Sequence, residues 1–309
     1  MKVLNQMITD KFSAYNGDCV EVARGIPDNS IHYTIFSPPF ASLYTYSNSD
    51  RDMGNSKGDD DFHIHFKFLV QELFRVTIPG RLVSFHCMDI PAMKERDGYI
   101  GLKDFPGDLI RMFQEHGFIY HSRVAIWKDP LIEATRTKAL GLMHKQIEKD
   151  SAMCRQGLPD YLITMRKPGD NPEPIEHESG FTSYAGLDEP KHGTYSHQVW
   201  RRYASPVWMD INQSNTLQKE SAREDEDERH ICPLQLDVIE RALQLWTNPG
   251  DIAFSPFMGI GSEGHKALEM GRRFVGIELK GSYYDVAVNN LKSASIRQEQ
   301  QSLFGGDAL

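Results

Sequence analysis

The tetrapeptide Ser37-Pro38-Pro39-Phe40 closes an apolar run, Ile31 to Phe36. Proline fixes φ and donates no backbone hydrogen bond. The residue before each proline is held extended. The segment therefore leaves a strand as a stiff turn whose carbonyls join neither helix nor ladder. They face outward as acceptors with an aromatic ring beside them. That shape suits gripping a flat ring that carries an amino group on its edge. A plain proline turn after a strand uses the same residues and does no chemistry, so a second signal must decide.

That signal is Asp251-Ile252-Ala253-Phe254-Ser255-Pro256-Phe257-Met258-Gly259-Ile260-Gly261-Ser262. Lys266 to Arg273 follows, and then Phe274-Val275-Gly276-Ile277-Glu278-Leu279. The pattern predicts a strand, a glycine turn, a helix and a second strand ending in an acid. Glycines at such a turn let the backbone approach a ligand closely. An acid about 20 residues on suits the two hydroxyls of a ribose. The unit therefore points to a nucleoside cofactor. Its structural alternative is tight helix–strand packing with a surface Glu.

With both motifs in hand, the chain resembles the DNA methyltransferases that use S-adenosyl-L-methionine to modify exocyclic amino groups, adenine N6 or cytosine N4. Ser37-Pro38-Pro39-Phe40 matches that family's catalytic motif. Ser255-Pro256-Phe257-Met258-Gly259-Ile260-Gly261, continuing into Ser262, matches its cofactor motif, and Gly276-Ile277-Glu278 matches its Gly-Ile-Glu. Asp18, in Gly17-Asp18, resembles the acid that reads the cofactor's adenine amino group. His230-Ile231-Cys232-Pro233-Leu234-Gln235 resembles the segment lining the methionine pocket, and Ala125-Ile126-Trp127-Lys128 the last strand of the catalytic half. The catalytic motif precedes the cofactor motif, as in the family's permuted beta class. The resemblance covers about residues 11–128 and 230–292. It departs from the family at Ser255, where Asp is usual, and at Ser37, where Asp often stands.

The resemblance implies a mechanism. Ser37 and the Pro38 carbonyl would accept hydrogen bonds from the amino nitrogen, drawing it toward tetrahedral geometry, with acceleration coming from alignment and electrostatics. The base must be flipped out of the duplex to be reached, and Phe40 would stack on it. Ser37 also counts among the cofactor-lining residues. Ser at its position leans to cytosine N4, but the rule is loose, and adenine N6 is the expected target with cytosine N4 the alternative. An RNA or protein methyltransferase is a further reading. So is an inactive DNA-binding protein, prompted by Ser255.

The chain has 309 residues and a net charge of −9. An acidic balance argues at first against DNA, but phosphate contact depends on a local patch. Acid is concentrated at Glu220 and Glu224 to Glu228, while Arg123, Lys128, Arg136, Lys138, Lys145, Arg201 and Arg202 gather elsewhere. Arg136, Lys138, His197, Gln198, Arg201 and Arg202 are the candidates for reading or gripping double-stranded DNA. No apolar stretch approaches a membrane span. The amino terminus has no signal-peptide pattern. Four scattered cysteines (Cys19, Cys87, Cys154, Cys232) fit reduced thiols in the cytoplasm. His63-Ile64-His65 would face one side of a strand as a metal pair, but with no third ligand nearby a packed or solvated pair is expected, and no metal.

Apolar runs at Ile31–Phe36, Phe66–Val76, Leu82–Cys87, Leu109–His116 and Ile119–Trp127 alternate strand-like and helical spacing. The alternation predicts an α/β fold with a mostly parallel sheet. The resemblance implies a Rossmann-like, permuted class I methyltransferase with helices on both faces, carrying an inserted target-recognition region. Residues 1–129 and 230–292 are expected to form the catalytic domain, 130–229 the target-recognition region and 293–309 a flexible tail. Within the insert, Glu133–Asp150 is expected as one helix and Tyr161–Met165 as a strand. The family also raises the expectation of a homodimer and leaves open a partner restriction endonuclease.

Overall fold

A computed structural model of the chain describes residues 3–39, 59–92, 94–137, 144–153, 155–177, 200–217 and 233–304. Its strands are β1 Val3–Ile8, β2 Phe12–Gly17, β3 Ile31–Phe36, β4 Thr77–Cys87, β5 Ile90–Ala92, β6 Gly101–Lys103, β7 Ile119–Ile126, β8 Asp160–Arg166, β9 Val207–Trp208, β10 Ile252–Ser255 and β11 Arg273–Glu278. Nine of them form one sheet, in the order β1-β2-β11-β10-β3-β4-β8-β7-β9, and β5 and β6 pair separately. From β2 to β4 every neighbouring pair is parallel. β8 runs antiparallel to both β4 and β7.

Parallel strands covered on both faces read as continuous apolar runs, and β3 is one. Phe36 enters one core with Phe85, Phe113 and the helices Asp59–Val76 and Phe105–Glu115. Tyr33 and Ile35 enter the other, with the helices Leu236–Trp246, Ser262–Glu269 and Gly281–Phe304. Alternation along the strand sends successive side chains to opposite faces. This is the expected α/β sandwich.

Four expectations change. β8 pairs with β4 and β7 inside the main sheet, so the boundary expected at residue 129 cuts through the sheet. Leu162, Ile163 and Met165 are fully buried there, but the run is short and follows helical sequence, which hid its role. The expected single helix Glu133–Asp150 is replaced by the helices Pro130–Thr137 and His144–Lys149, with 138–143 outside the described residues. The expected flexible tail is helical to Phe304. Ala294 buries its inner face, while Lys11 holds Gln298 at 2.6 Å and Glu299 at 3.0 Å. His63 and His65 lie on a helix, where residues two apart do not share a face.

The edge of the sheet at the start of β3 and β10 is held by charge. Arg81, 1% exposed, donates to Asp251 Oδ2 at 3.0 Å. His32 Nε2 lies 3.6 Å from both Asp251 Oδ1 and Glu173 Oε2. His32, Glu173 and Asp251 could ligate a cation by spacing, but Arg81 already supplies the positive charge. Burial lowers the His32 pKa, Asp251 working against it.

Candidate active site

The two sequence motifs meet. β3 and β10 are hydrogen-bonded neighbours, with Tyr33 opposite Ala253 and Thr34 opposite Phe254. Neighbouring strands run about 4.8 Å apart, so Ser255 to Phe257 continue beside Ile35 to Ser37. The Phe36 and Phe257 rings confirm it, with centroids 5.8 Å apart. Both motifs sit where parallel strands end, the edge at which open α/β sheets bind ligands. Ser37 is half-buried, and Pro38 and Pro39 are buried.

The turn after β10 is built by glycine. Gly259 has φ +51° and Gly261 φ +88°, a left-handed backbone that side chains rarely adopt. A methyl group on Gly259 would meet nothing within 4 Å, so its backbone faces open space. Met258 N–H donates to Ile277 O at 2.9 Å, and Gly261 N–H to Met258 O at 2.7 Å. Glu278 ends β11 and reaches across. Its Oε2 accepts the Gly259 N–H at 2.9 Å and its Oε1 the Lys280 N–H at 2.9 Å. Asn16, at the end of β2, holds that corner by donating to Glu278 O and Leu279 O at 2.8 and 2.9 Å.

Ser255 and Pro256 are buried on the same edge, and Ser262 opens the next helix, also buried. Ser255 Oγ is buried with no hydrogen-bond partner among the described residues. A buried hydroxyl without a partner costs free energy unless something fills the need. An open backbone turn, an acid and an orphaned hydroxyl together fit a nucleoside cofactor. Phe257 is half-buried and turned into the core against Phe36 and Phe66. Asp18 caps the helix Cys19–Ala23, its Oδ1 accepting from the Val20 and Glu21 N–H groups. Its other carboxylate oxygen is not used by that cap.

A third group stands at the same edge. Phe36 is paired with Phe85 across β3 and β4, which sets His86 beside Ser37. Ser37 Oγ lies 3.3 Å from His86 Nδ1. His86 Nε2 stands 3.1 Å from Asp160 Oδ2, off the line of a full hydrogen bond. Asp160 Oδ1 in turn lies 2.5 Å from Lys128 Nζ. Burial works to raise the Asp160 pKa, but His86 and Lys128 outweigh it and hold the carboxyl below its ordinary range. Lys128 was visible in sequence as part of the last-strand motif. His86 and Asp160 were not, because only strand register brings them to Ser37.

A family model described as DNA methylase, for N6 and N4 modification, matches residues 31–289. This chain belongs to the N6/N4 DNA methylase family. The methylase is 26% identical over 277 residues to the orphan methyltransferase M.BamHII of Bacillus amyloliquefaciens, covering 87% of this chain and 92% of that protein. It is 22% identical over 275 residues to the type II methyltransferase M.BglII of Bacillus subtilis, covering 88% of this chain and 67% of that one. Among solved structures it is similar to TTHA0409 of Thermus thermophilus, described as a DNA modification methylase complexed with S-adenosyl-L-methionine. The TM-score is 0.65 at 20% identity, over 93% of this chain and 95% of that one. It is also similar to the cytosine-N4-specific PvuII DNA methyltransferase, with a TM-score of 0.62 at 16% identity over 97% of both chains. At these identities the structural likeness is one of fold.

The other expected site residues of the methylase do not all lie among the described residues. Phe40, Lys138, His197, Gln198 and His230 lie outside the described residues, and Arg136 lies on the helix Pro130–Thr137. Arg201 is exposed beside Trp200, itself 57% exposed. Arg202 Nε donates to Asp210 Oδ2 at 2.6 Å, so part of its charge is used within the chain. Arg241 holds the same carboxylate with two bonds of 2.9 Å and lies 4.8 Å over the Trp208 ring. Trp208 is thus part of the core. Among the described residues, no helix is long and apolar enough to cross a membrane.

The glycine motif extends beyond Gly261. Gly264 completes Gly259-x-Gly261-x-x-Gly264. A methyl group there would lie 2.4 Å from both Leu291 and Phe274, so this glycine admits close packing of helix on strand. Glu263 beside it is buried. Burial and the nearby Glu278 charge push its pKa up to about 8.

Proposed function

We propose that this methylase transfers a methyl group from S-adenosyl-L-methionine to the exocyclic amino group of a base flipped out of double-stranded DNA at a specific sequence. The observation that carries the proposal is the adjacency of β3, which leads into Ser37-Pro38-Pro39, to β10, which leads into the glycine turn. When bound, the cofactor supplies an electrophilic methyl group on a sulfonium. Gly259, Gly261, Ser262 and the Ser255 hydroxyl would hold it from one side. Glu278 would hold the ribose hydroxyls and Asp18 the adenine amino group.

Ser37 Oγ and the Pro38 carbonyl would accept hydrogen bonds from the target amino group and aim its lone pair. That nitrogen is a poor nucleophile because its lone pair is delocalised into the ring. Fixed acceptors at the point of charge development are the means by which such a site accelerates transfer. Extruding the base costs a few kcal/mol. Phe40, next after the prolines, is the residue placed by sequence to recover part of that by stacking, at about 1–3 kcal/mol. Residues outside the sheet between 130 and 229, with Arg201 exposed among them, would read the DNA sequence. We place the enzyme in the cytoplasm, where its DNA substrate lies.

Adenine N6 is the target we propose. Cytosine N4 is the second reading, and Ser37 at the head of the motif favours it. Incubation with labelled S-adenosyl-L-methionine and unmethylated DNA of mixed sequence, followed by nucleoside mass spectrometry, tests both. N6-methyladenine is expected, and N4-methylcytosine would select the second reading. DNA binding without any transfer would mean an inactive binding protein. Transfer to RNA or protein but not to DNA would overturn the substrate assignment.

A further inference from the structure

We propose that His86, oriented by Asp160 and Lys128, takes the proton released in methyl transfer, and that Ser37 passes it on. The inference rests on the methyltransferase reading above and adds to it a base that the Ser-Pro-Pro motif lacks.

The chemistry requires one. As the amino nitrogen bonds to the methyl carbon, its lone pair becomes the new N–C bond and the electrons of the broken S–C bond stay on sulfur. The nitrogen then carries one proton too many and a positive charge. An aspartate at the motif head would lie next to that charge. Ser37 is neutral and is no base. Its hydroxyl can accept the N–H proton only if it gives up its own, and His86 Nδ1 lies 3.3 Å from Ser37 Oγ to receive it. The step balances. The amine loses H⁺ to Oγ, Oγ–H moves to Nδ1, and the positive charge that began on sulfur ends on the imidazolium.

Three observations support the assignment. Asp160 lies on the far side of the ring, 3.1 Å from Nε2. That contact favours the tautomer with its proton on Nε2 and a free lone pair on Nδ1 facing Ser37. Asp160 is 3% exposed and stays ionised, held below the ordinary carboxylate range by His86 and Lys128 against its burial. The His86 side chain is 12% exposed, so the ring is largely shielded from solvent. The charged group set against the ring is Asp160 on β8, and Lys128, after β7, stands behind that carboxylate. The catalytic contact is Ser37. His86 acts through it, and Asp160 positions His86.

The test uses the full chain, labelled S-adenosyl-L-methionine and unmethylated DNA. Wild type, His86→Gln, Asp160→Asn and Ser37→Ala are compared for kcat against pH, with melting temperature and cofactor binding as controls. Wild-type kcat should fall toward acid, as expected when a proton-accepting base is needed. His86→Gln should lose about 100-fold or more in kcat and lose that acid limb, with cofactor affinity unchanged. In Ser37→Ala, adding His86→Gln should cost little more, because the path is already broken. A second readout needs no turnover. The ring ¹⁵N shifts of His86 in the protein alone should show the Nε2–H tautomer, and Asp160→Asn should shift that balance. A His86→Gln variant that keeps the wild-type pH profile, or a ring protonated on Nδ1 at neutral pH, would overturn the relay alone. No transfer by wild type to any DNA would overturn the reading beneath it.

Discussion

Glu278 Oε2 accepts the backbone N–H of Gly259 at 2.9 Å, joining the end of β11 to the turn after β10. One carboxylate therefore shapes the glycine turn, and the same carboxylate is the one proposed to hold the ribose hydroxyls. Hydrogen bonds to a charged group are worth about 1.5–3 kcal/mol. Glu278→Ala should weaken S-adenosyl-L-methionine binding by about tenfold or more, measured by calorimetry. Unchanged affinity would remove Glu278 from the cofactor site.

Ser37→Ala separates alignment from binding. The hydroxyl is proposed to touch the target amino group, and the glycine turn to bind the cofactor. Turnover should fall while the calorimetric Kd for cofactor stays within about twofold. Equal losses in both would mean that Ser37 shapes the pocket instead.

Gly264→Ala is a test of packing. Alanine would favour the helix by about 1 kcal/mol over glycine. Its methyl, however, would stand 2.4 Å from Leu291 and Phe274, and overpacking of that kind costs about 1–3 kcal/mol. The clash should win, and chemical denaturation should show a net loss of stability. A gain would mean that the helix can slide away from β11.

Glu263 makes stability depend on pH in an unusual sense. Its folded pKa of about 8 lies above the ordinary value of 4.5, chiefly through burial. Between those values the folded chain keeps a proton that the unfolded chain has lost, so this group's contribution to stability falls as pH rises through that window. Glu263→Gln removes the proton exchange. Thermal melts should show a smaller loss of stability between about pH 5 and pH 8 than in wild type. An identical slope in both proteins would place the Glu263 proton elsewhere.

Both motifs were legible because each is local. The Ser-Pro-Pro turn and the glycine turn are fixed by residues a few positions apart, and the strands feeding them are continuous apolar runs. Their meeting was implied by family likeness and rests physically on β3 lying beside β10. What sequence hid is long-range. β8 lies within the stretch expected to read DNA, yet it completes the catalytic sheet. The His86–Asp160 contact exists only because β8 lies antiparallel to β4, with His86 opposite Leu162. Gly264 was within reach, three residues past Gly261, but nothing in the chain announces Leu291 and Phe274 as the atoms that forbid a side chain there. The charged clamp of Arg81 and Asp251 was hidden for the same reason.

The strand order has a consequence for how this protein is made. β10 and β11 insert between β2 and β3, although both of those strands leave the ribosome long before them. Until residues 252–278 emerge, the growing sheet has a gap in its middle, with the apolar edge Ile31–Phe36 unpaired on one side. Such edges invite association with other chains. A chain stalled before residues 252–278 should therefore aggregate more readily than one that carries them.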